Sequence, residues 1–211
     1  MRLRYRIPLA IIAICMVITM FIASSYALWS VTITQESKNA LESGCFAITF
    51  DDTDSSSINL TNTFPISDEK GLKTAPYTFT IKNTCTVDAR FTLYLNTLNI
   101  VDGVKLSDDF IKYSLMQSDG AVAVAQSLKN AEQNLDTSYF TFKEDFGKDV
   151  LKSYVLTTGT LKGQSAEGVD DGEAITYSLR LWIDEVATNE IFGQTFEAGV
   201  STVAYAVQLK D

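Results

Sequence analysis

The clearest pattern along the chain is the alternation of apolar and polar residues in short segments. It is strongest in residues 174–184, where every second residue is apolar. A period of two places the alternating side chains on one face of a β-strand. The apolar residues of that predicted face are Ile175, Tyr177, Leu179, Leu181 and Ile183. Similar patterns predict further strands at residues 28–35, 44–50, 58–60, 76–81, 86–95, 110–116, 150–161 and 200–209.

Few segments favour helix. Residues 121–135 have a helical composition, although a strand followed by a turn and a short helix fits them equally well. Residues 188–192 resemble a helical turn capped by Thr188, and residues 36–43 and 63–74 are predicted as loops, the first with the alternative of one helical turn. The predicted fold is all-β: an antiparallel β-sandwich of jelly-roll type with one or two short helices, preceded by an N-terminal apolar helix.

The first 27 residues have the order of a secretory signal. Arg2, Arg4 and Arg6 precede an uncharged apolar run, and small residues lead up to Ala27. This order predicts a signal peptide cleaved between Ala27 and Leu28, followed by a single extracytoplasmic domain at residues 28–211. The alternative is a retained membrane anchor, because the apolar run approaches the roughly 20 residues that a spanning helix needs. The expected location is therefore secreted or at the cell surface, with the membrane contacted only through the N-terminal helix.

Charge and composition exclude several classes of function. The chain carries a net charge of −9, with 26 acidic against 17 basic residues, three of the latter within the leader. Such an acidic surface repels phosphate backbones, so nucleic-acid binding is not expected. The sequence contains no histidine, which excludes Ser-His-Asp and Cys-His catalysis and His-ligated zinc. We expect no enzymatic activity and no catalytic, cofactor or metal-binding residues.

Two acidic turns and one sequon are weak signals. Residues 51–57 contain three aspartates, and residues 168–173 contain three further carboxylates, with Gly168 and Gly172 marking a turn. Oxygen-rich loops of this kind bind calcium in some proteins, but the EF-hand spacing is missing and solvated turns are the expected state. Residues 59–61 match the N-glycosylation tripeptide, which often occurs by chance.

Cys45 and Cys85 are the two cysteines outside the leader. In an oxidising compartment they are expected to form a disulfide, which would stabilise the fold by roughly 4 kcal/mol on the chain-entropy model. The alternative is two reduced cysteines that pack as small apolar side chains.

The N-terminal half resembles a known family. The residues that carry the resemblance are the basic leader, the segment Ser-Tyr-Ala-Leu-Trp-Ser at 25–30, the segment Ser-Gly-Cys-Phe-Ala-Ile at 43–48, and the pair Ile-Asn-Leu-Thr-Asn at 58–62 with Tyr-Thr-Phe-Thr-Ile-Lys-Asn at 77–83. They are similar to the TasA/camelysin family of Gram-positive exported proteins, whose leaders are removed by the SipW-type signal peptidase. The resemblance covers residues 1–95.

The resemblance implies a jelly-roll subunit of extracellular biofilm-matrix fibres. Subunits of that family are joined when the N-terminal strand of one completes the sheet of the next, a form of β-augmentation. Here the donor strand would be residues 28–35, with Trp29, Val31 and Ile33 on its buried face. The alternative is that this strand pairs within its own domain. The implied partners are further copies of the chain and, during export, the signal peptidase.

Two other functions stay open. One is a membrane-anchored monomeric surface module that binds carbohydrate or protein through loops such as residues 51–57 and 63–74. The other is a camelysin-like metal-dependent peptidase, for which only carboxylate ligands would be available in a chain without histidine.

Overall fold

The computed structural model describes residues 30–34, 41–43, 46–50, 58–61, 63–118, 122–134, 148–164, 173–187 and 191–207, the first three segments by their backbone alone. Residues from Val31 onward form one compact unit. It consists mostly of antiparallel strands arranged in two sheets, which confirms the all-β prediction. The leader, the predicted N-terminal helix and the predicted cleavage site lie outside the described residues.

Thirteen strands are defined in the described part of the chain. They are β1 Ser30–Thr34, β2 Leu41–Ser43, β3 Phe46–Phe50, β4 Ile58–Thr61, β5 Tyr77–Asn83, β6 Ala89–Leu98, β7 Val104–Lys105, β8 Ile111–Gln117, β9 Gln126–Ser127, β10 Gln133–Asn134, β11 Val150–Leu161, β12 Ala174–Ile183 and β13 Gln194–Ala206. The first sheet has the order β1-β13-β6-β11-β10, with β4 and β7 also paired to β13. The second sheet has the order β2-β3-β5-β12-β8-β9. The two-residue β7 pairs in parallel with β13, whereas the pairs of β6 with β11 and β13 and of β12 with β5 and β8 are antiparallel.

The hydrophobic core lies between the inner faces of the two sheets. In β6 the buried face contains Ala89, Phe91, Leu93 and Leu95, as the sequence predicts. In β12 the predicted face is also the inner one, and Tyr177, Leu179, Leu181 and Ile183 are buried there. The rings of Phe91 in the first sheet and Tyr177 in the second lie 6.5 Å apart in an edge-to-face contact, which joins the two layers.

The chain crosses from one sheet to the other between β5 and β6. The sequence predicts a bulge or bend at residues 83–85, and the structure shows a connection between sheets, because β5 and β6 belong to different ones. The buried Asn83 side chain donates to the carbonyl oxygens of Val87 at 3.0 Å and Leu161 at 3.1 Å, and it accepts from the Cys85 amide at 3.0 Å. One side chain therefore satisfies three backbone groups where the strands end.

Two short elements differ from the sequence prediction. Residues 63–74, predicted as a loop, contain the helical turn α1, Asp68–Gly71. Residues 36–43, predicted as a loop or helical turn, contain the strand β2. Both elements are only three or four residues long, so they are too short to show a period in the sequence.

The helical turn α1 covers the outer face of β12. Trp182 is 1% exposed, and its indole N–H donates to a carboxylate oxygen of Asp68 at 3.3 Å. A Cβ atom placed on Gly71 would lie 2.3 Å from Trp182 Cδ2. Glycine is therefore required for the close approach of α1 to the indole.

Candidate functional site

The predicted donor strand lies at an edge of the first sheet. Strand β1 is the outermost member of this sheet and pairs with β13. One side of β13 pairs with β6 from Ala198 to Ala206, and the other side pairs with β4 from Thr195 to Ala198. Strand β1 therefore lies on the same side of β13 as β4. Val31 and Ile33 are within β1, two positions apart, whereas Trp29 lies outside the described residues.

Within this chain, β1 thus occupies a place beside its own β13. This arrangement corresponds to the alternative in which the N-terminal strand pairs within its own domain. A strand at a sheet edge uses its backbone hydrogen-bonding groups on one side only, so the other side is suited to pair with a further strand. The edge position of β1 is therefore compatible both with pairing inside its own domain and with pairing to a second copy of the chain.

Cys85 is disulfide-bonded. The other two cysteines of the sequence, at positions 15 and 45, lie outside the described residues. The register of the second sheet places Phe46 of β3 opposite Asn83 of β5, so the start of β3 lies beside the end of β5. The pairing of Cys85 with Cys45 stays a prediction, which this register supports.

Peptide mapping of the exported protein without reduction is expected to yield one cross-linked pair that contains Cys45 and Cys85. The short distance between the ends of β3 and β5 favours this pair, because bonded cysteines need Cα atoms within about 7 Å. Reduction should separate the two peptides with a gain of two hydrogens. A native protein in which both thiols are freely alkylated would contradict the prediction.

A polar cluster around the buried carboxylate of Asp108 joins the segment before β8 to β11. Asp108 is 4% exposed and forms an ion pair with Lys105. It also accepts a hydrogen bond from the Tyr154 hydroxyl at 2.9 Å and lies 3.4 Å from Lys152 Nζ. Burial, together with the hydrogen bond and the negative charge of Asp108, raises the pKa of Tyr154 above its ordinary value. The phenol therefore stays protonated at neutral pH and acts as a donor.

A second polar cluster lies near the start of β13. Glu197 is 8% exposed, forms an ion pair with Lys148 and accepts a hydrogen bond from the Asn59 amide at 3.0 Å. Asn59 is the acceptor position of the glycosylation tripeptide and is exposed on β4. Both clusters satisfy buried charges with several partners, which is the pattern of structural ion pairs.

The predicted acidic turns lie mostly outside the described residues. Of their carboxylates, only Glu173 is described, and it accepts a hydrogen bond from the Lys162 amide at 2.7 Å. Among the described residues, no three His, Cys, Asp or Glu side chains lie close enough together to hold a metal ion.

An exposed aromatic pair marks a small cleft at one end of the first sheet. Phe64 and Phe192 are 64% and 60% exposed, and their rings lie 5.8 Å apart, edge to face. The cleft has a volume of about 100 Å³ and is also lined by Thr63, Ile191 and Gln194. Phe64 belongs to the loop that the sequence offers as a binding loop, whereas Phe192 was not expected, because only the tertiary structure brings it beside Phe64.

Comparison with protein families, curated proteins and solved structures gave no match. None of the helices in the described part of the chain has the length and apolar character needed to cross a bilayer.

Proposed function

We propose that this protein is a secreted or cell-surface structural protein, a TasA-like subunit of extracellular or biofilm-matrix fibres. The observation that carries the proposal is the position of β1 at the edge of the first sheet. Only Leu28 and Trp29 separate β1 from the predicted cut after Ala27. Cleavage would therefore place an edge strand at the new N-terminus, which is suited to complete the sheet of a neighbouring copy.

The order of the strands supports a jelly-roll architecture. The longer strands alternate between sheets along the chain: β5, β8 and β12 belong to the second sheet, and β6, β11 and β13 belong to the first. Repeated crossing between two antiparallel sheets is typical of jelly rolls and other Greek-key sandwiches. In the proposed fibre this sandwich is the repeating unit, and the signal peptidase is its partner during export.

Removal of residues 28–35 from the exported protein is expected to abolish fibre formation and leave the domain folded. The strand supplies intermolecular backbone hydrogen bonds, whereas the core is formed by β5, β6, β8, β11, β12 and β13. Electron microscopy and sedimentation measure assembly, and circular dichroism with thermal unfolding measures the fold. A second variant, Ile33→Pro, keeps the predicted cleavage site and removes one backbone donor from β1.

The outcomes separate the proposed functions. If the shortened protein forms fibres as well as the complete exported protein, assembly through β1 is wrong. A lasting monomer that binds glycans would instead favour the surface-binding module, for which the exposed pair Phe64 and Phe192 is the specific observation. Proteolysis that is lost with a chelator and survives rigorous purification would favour the peptidase.

A further inference from the structure

In the part of the chain that the structure describes, the edge of the first sheet opposite to β1 is paired over only part of its length. Strand β11 pairs with β6 on one side over its full length, from Val150 to Leu161. On its other side β10 pairs only with Ser153 and Tyr154, and the Val155 amide donates to the Glu132 carbonyl at 2.8 Å. Among the described residues, no strand pairs with that side of residues 156–160, which we call the open edge.

The open edge has few of the features that protect sheet edges. Its sequence is Leu-Thr-Thr-Gly-Thr, without a charged residue or a proline. A register shift lies at its beginning, between Val155 and Thr157, and the pairing with β6 is regular from there to Leu161. Thr158 and Thr160 are exposed on the outer face of the sheet. Alternate residues of such an edge turn their N–H and C=O groups away from the sheet, where another strand can pair with them.

We propose that the open edge of β11 is the acceptor for the N-terminal strand of a second copy of this chain. This inference rests on the proposed function and names the surface that the donated strand joins. The strand order supports it, because β1 and the open edge lie on opposite margins of the same sheet. A contact between opposite margins is heterologous, so it repeats from copy to copy and does not stop at a two-fold dimer; where the rotation between copies does not close a ring, it builds a fibre.

Charge and length also fit the two segments. Without Arg2, Arg4 and Arg6 of the leader, each exported copy would carry 14 basic and 26 acidic residues, so two copies repel each other, and the repulsion is weakest where neutral surfaces meet. Strand β1 has the sequence Ser-Val-Thr-Ile-Thr and is neutral, like the open edge. Each segment has five residues, so a strand of the length of β1 would cover the open edge. Threonine-rich and β-branched neighbours are favourable cross-strand pairs.

The double variant Thr158→Lys with Thr160→Lys tests the acceptor. Lysine on an exposed edge is a feature by which sheet proteins prevent edge-to-edge pairing. The exported variant is expected to form fibres at least tenfold more slowly than the wild type, with unchanged thermal unfolding. The matched control is Thr92→Lys, since Thr92 lies opposite Thr158 on β6, between two other strands, and is not at an edge. The control is expected to assemble as the wild type does.

Mixing two defective proteins gives the decisive result. The lysine variant keeps its N-terminal strand, and the protein without residues 28–35 keeps its open edge. Within the time in which the wild type assembles, neither is expected to form fibres alone, whereas an equimolar mixture should yield a dimer of one copy of each. Fibres of the lysine variant at the wild-type rate would overturn the acceptor assignment and leave the fibre proposal standing. Fibres of the shortened protein would overturn both. A mixture that stays monomeric would also overturn the assignment, as would a mixed dimer that persists when Thr158→Lys and Thr160→Lys are added to the shortened protein.

Discussion

Asp108→Ala is expected to lower the free energy of unfolding by about 1–3 kcal/mol, the cost typical of leaving a buried hydrogen-bonding group without its partner. Asp108 is the shared partner of Lys105, Lys152 and the Tyr154 hydroxyl. Alanine at this position would leave two positive charges without their carboxylate and a buried hydroxyl without its acceptor. Since small domains have a total stability of about 5–15 kcal/mol, chemical denaturation should show a large shift of the midpoint.

The neighbouring Asp109→Ala is the control for this prediction. Asp109 is exposed, and its carboxylate accepts one long hydrogen bond from Ser107 Oγ at 3.3 Å. Its removal is expected to change the stability by no more than about 0.5 kcal/mol. Equal effects of the two substitutions would show that the buried cluster does not stabilise the fold.

The Asp108→Ala variant should also lose less stability at alkaline pH than the wild type does. The pKa of Tyr154 is raised in the folded protein by burial and by Asp108, above the ordinary value of 10.0. Because the pKa of Tyr154 is higher in the folded protein than in the unfolded chain, the protonated phenol contributes stability to the wild type below pH 10. That contribution is lost as the pH rises above this value. Without Asp108 two causes of the shift are absent, so the loss of stability above pH 10 is expected to be smaller.

Gly71→Ala is expected to lower the free energy of unfolding by about 2–3 kcal/mol, as overpacking of a filled site does. The added methyl group would lie 2.3 Å from Trp182 Cδ2 and 2.4 Å from Cε2, well inside van der Waals contact. The indole is buried and cannot turn aside without displacing α1 or β12. The direction of the change in stability is informative, because replacing glycine by alanine within an exposed helix normally stabilises a protein by about 1 kcal/mol.

Two further variants isolate the contact with the indole. Lys70→Ala, at the exposed neighbouring position of α1, is expected to have little effect on thermal unfolding. Combining Gly71→Ala with Trp182→Phe should cost less than the sum of the two single changes, because the smaller ring leaves room for the methyl group. Additive effects, or a Gly71→Ala protein as stable as the wild type, would contradict the close packing of α1 on Trp182.

Much of the sheet structure could be predicted from the alternation of residues. The bounds of β11 are those expected, Val150–Leu161, and the buried faces of β6 and β12 are the predicted ones. Prediction was weaker where segments are short. Residues 121–135, which allowed two interpretations, contain the strand β9, a 3₁₀ turn at Leu128–Asn130 and the strand β10. Such short pieces depend on their neighbours in space and have no period of their own.

The candidate site was predicted only in part. The donor segment is visible in the sequence because it alternates and follows a leader, but the open edge of β11 has no sequence signal. It exists because β10 begins only at Gln133, opposite Tyr154, and the described chain before it forms the 3₁₀ turn Leu128–Asn130 rather than a strand beside residues 156–160. The buried polar residues could not be predicted either, because their hydrogen-bond partners are distant in the sequence. Asn96, for example, accepts from Ser153 at 2.6 Å and donates to Ser201 at 2.7 Å, two partners far away in the sequence.

By itself, the sequence determined the all-β class, the buried faces of the long strands and the unsuitability of the chain for histidine-based chemistry. These properties follow from local period and composition, which need no knowledge of neighbours. The tertiary structure alone decided the strand order, the partners of Asp108 and Asn96, the glycine required beneath Trp182, and which strand edges are covered. Each of these depends on contacts between residues distant in the chain, and such contacts form only when the two sheets assemble.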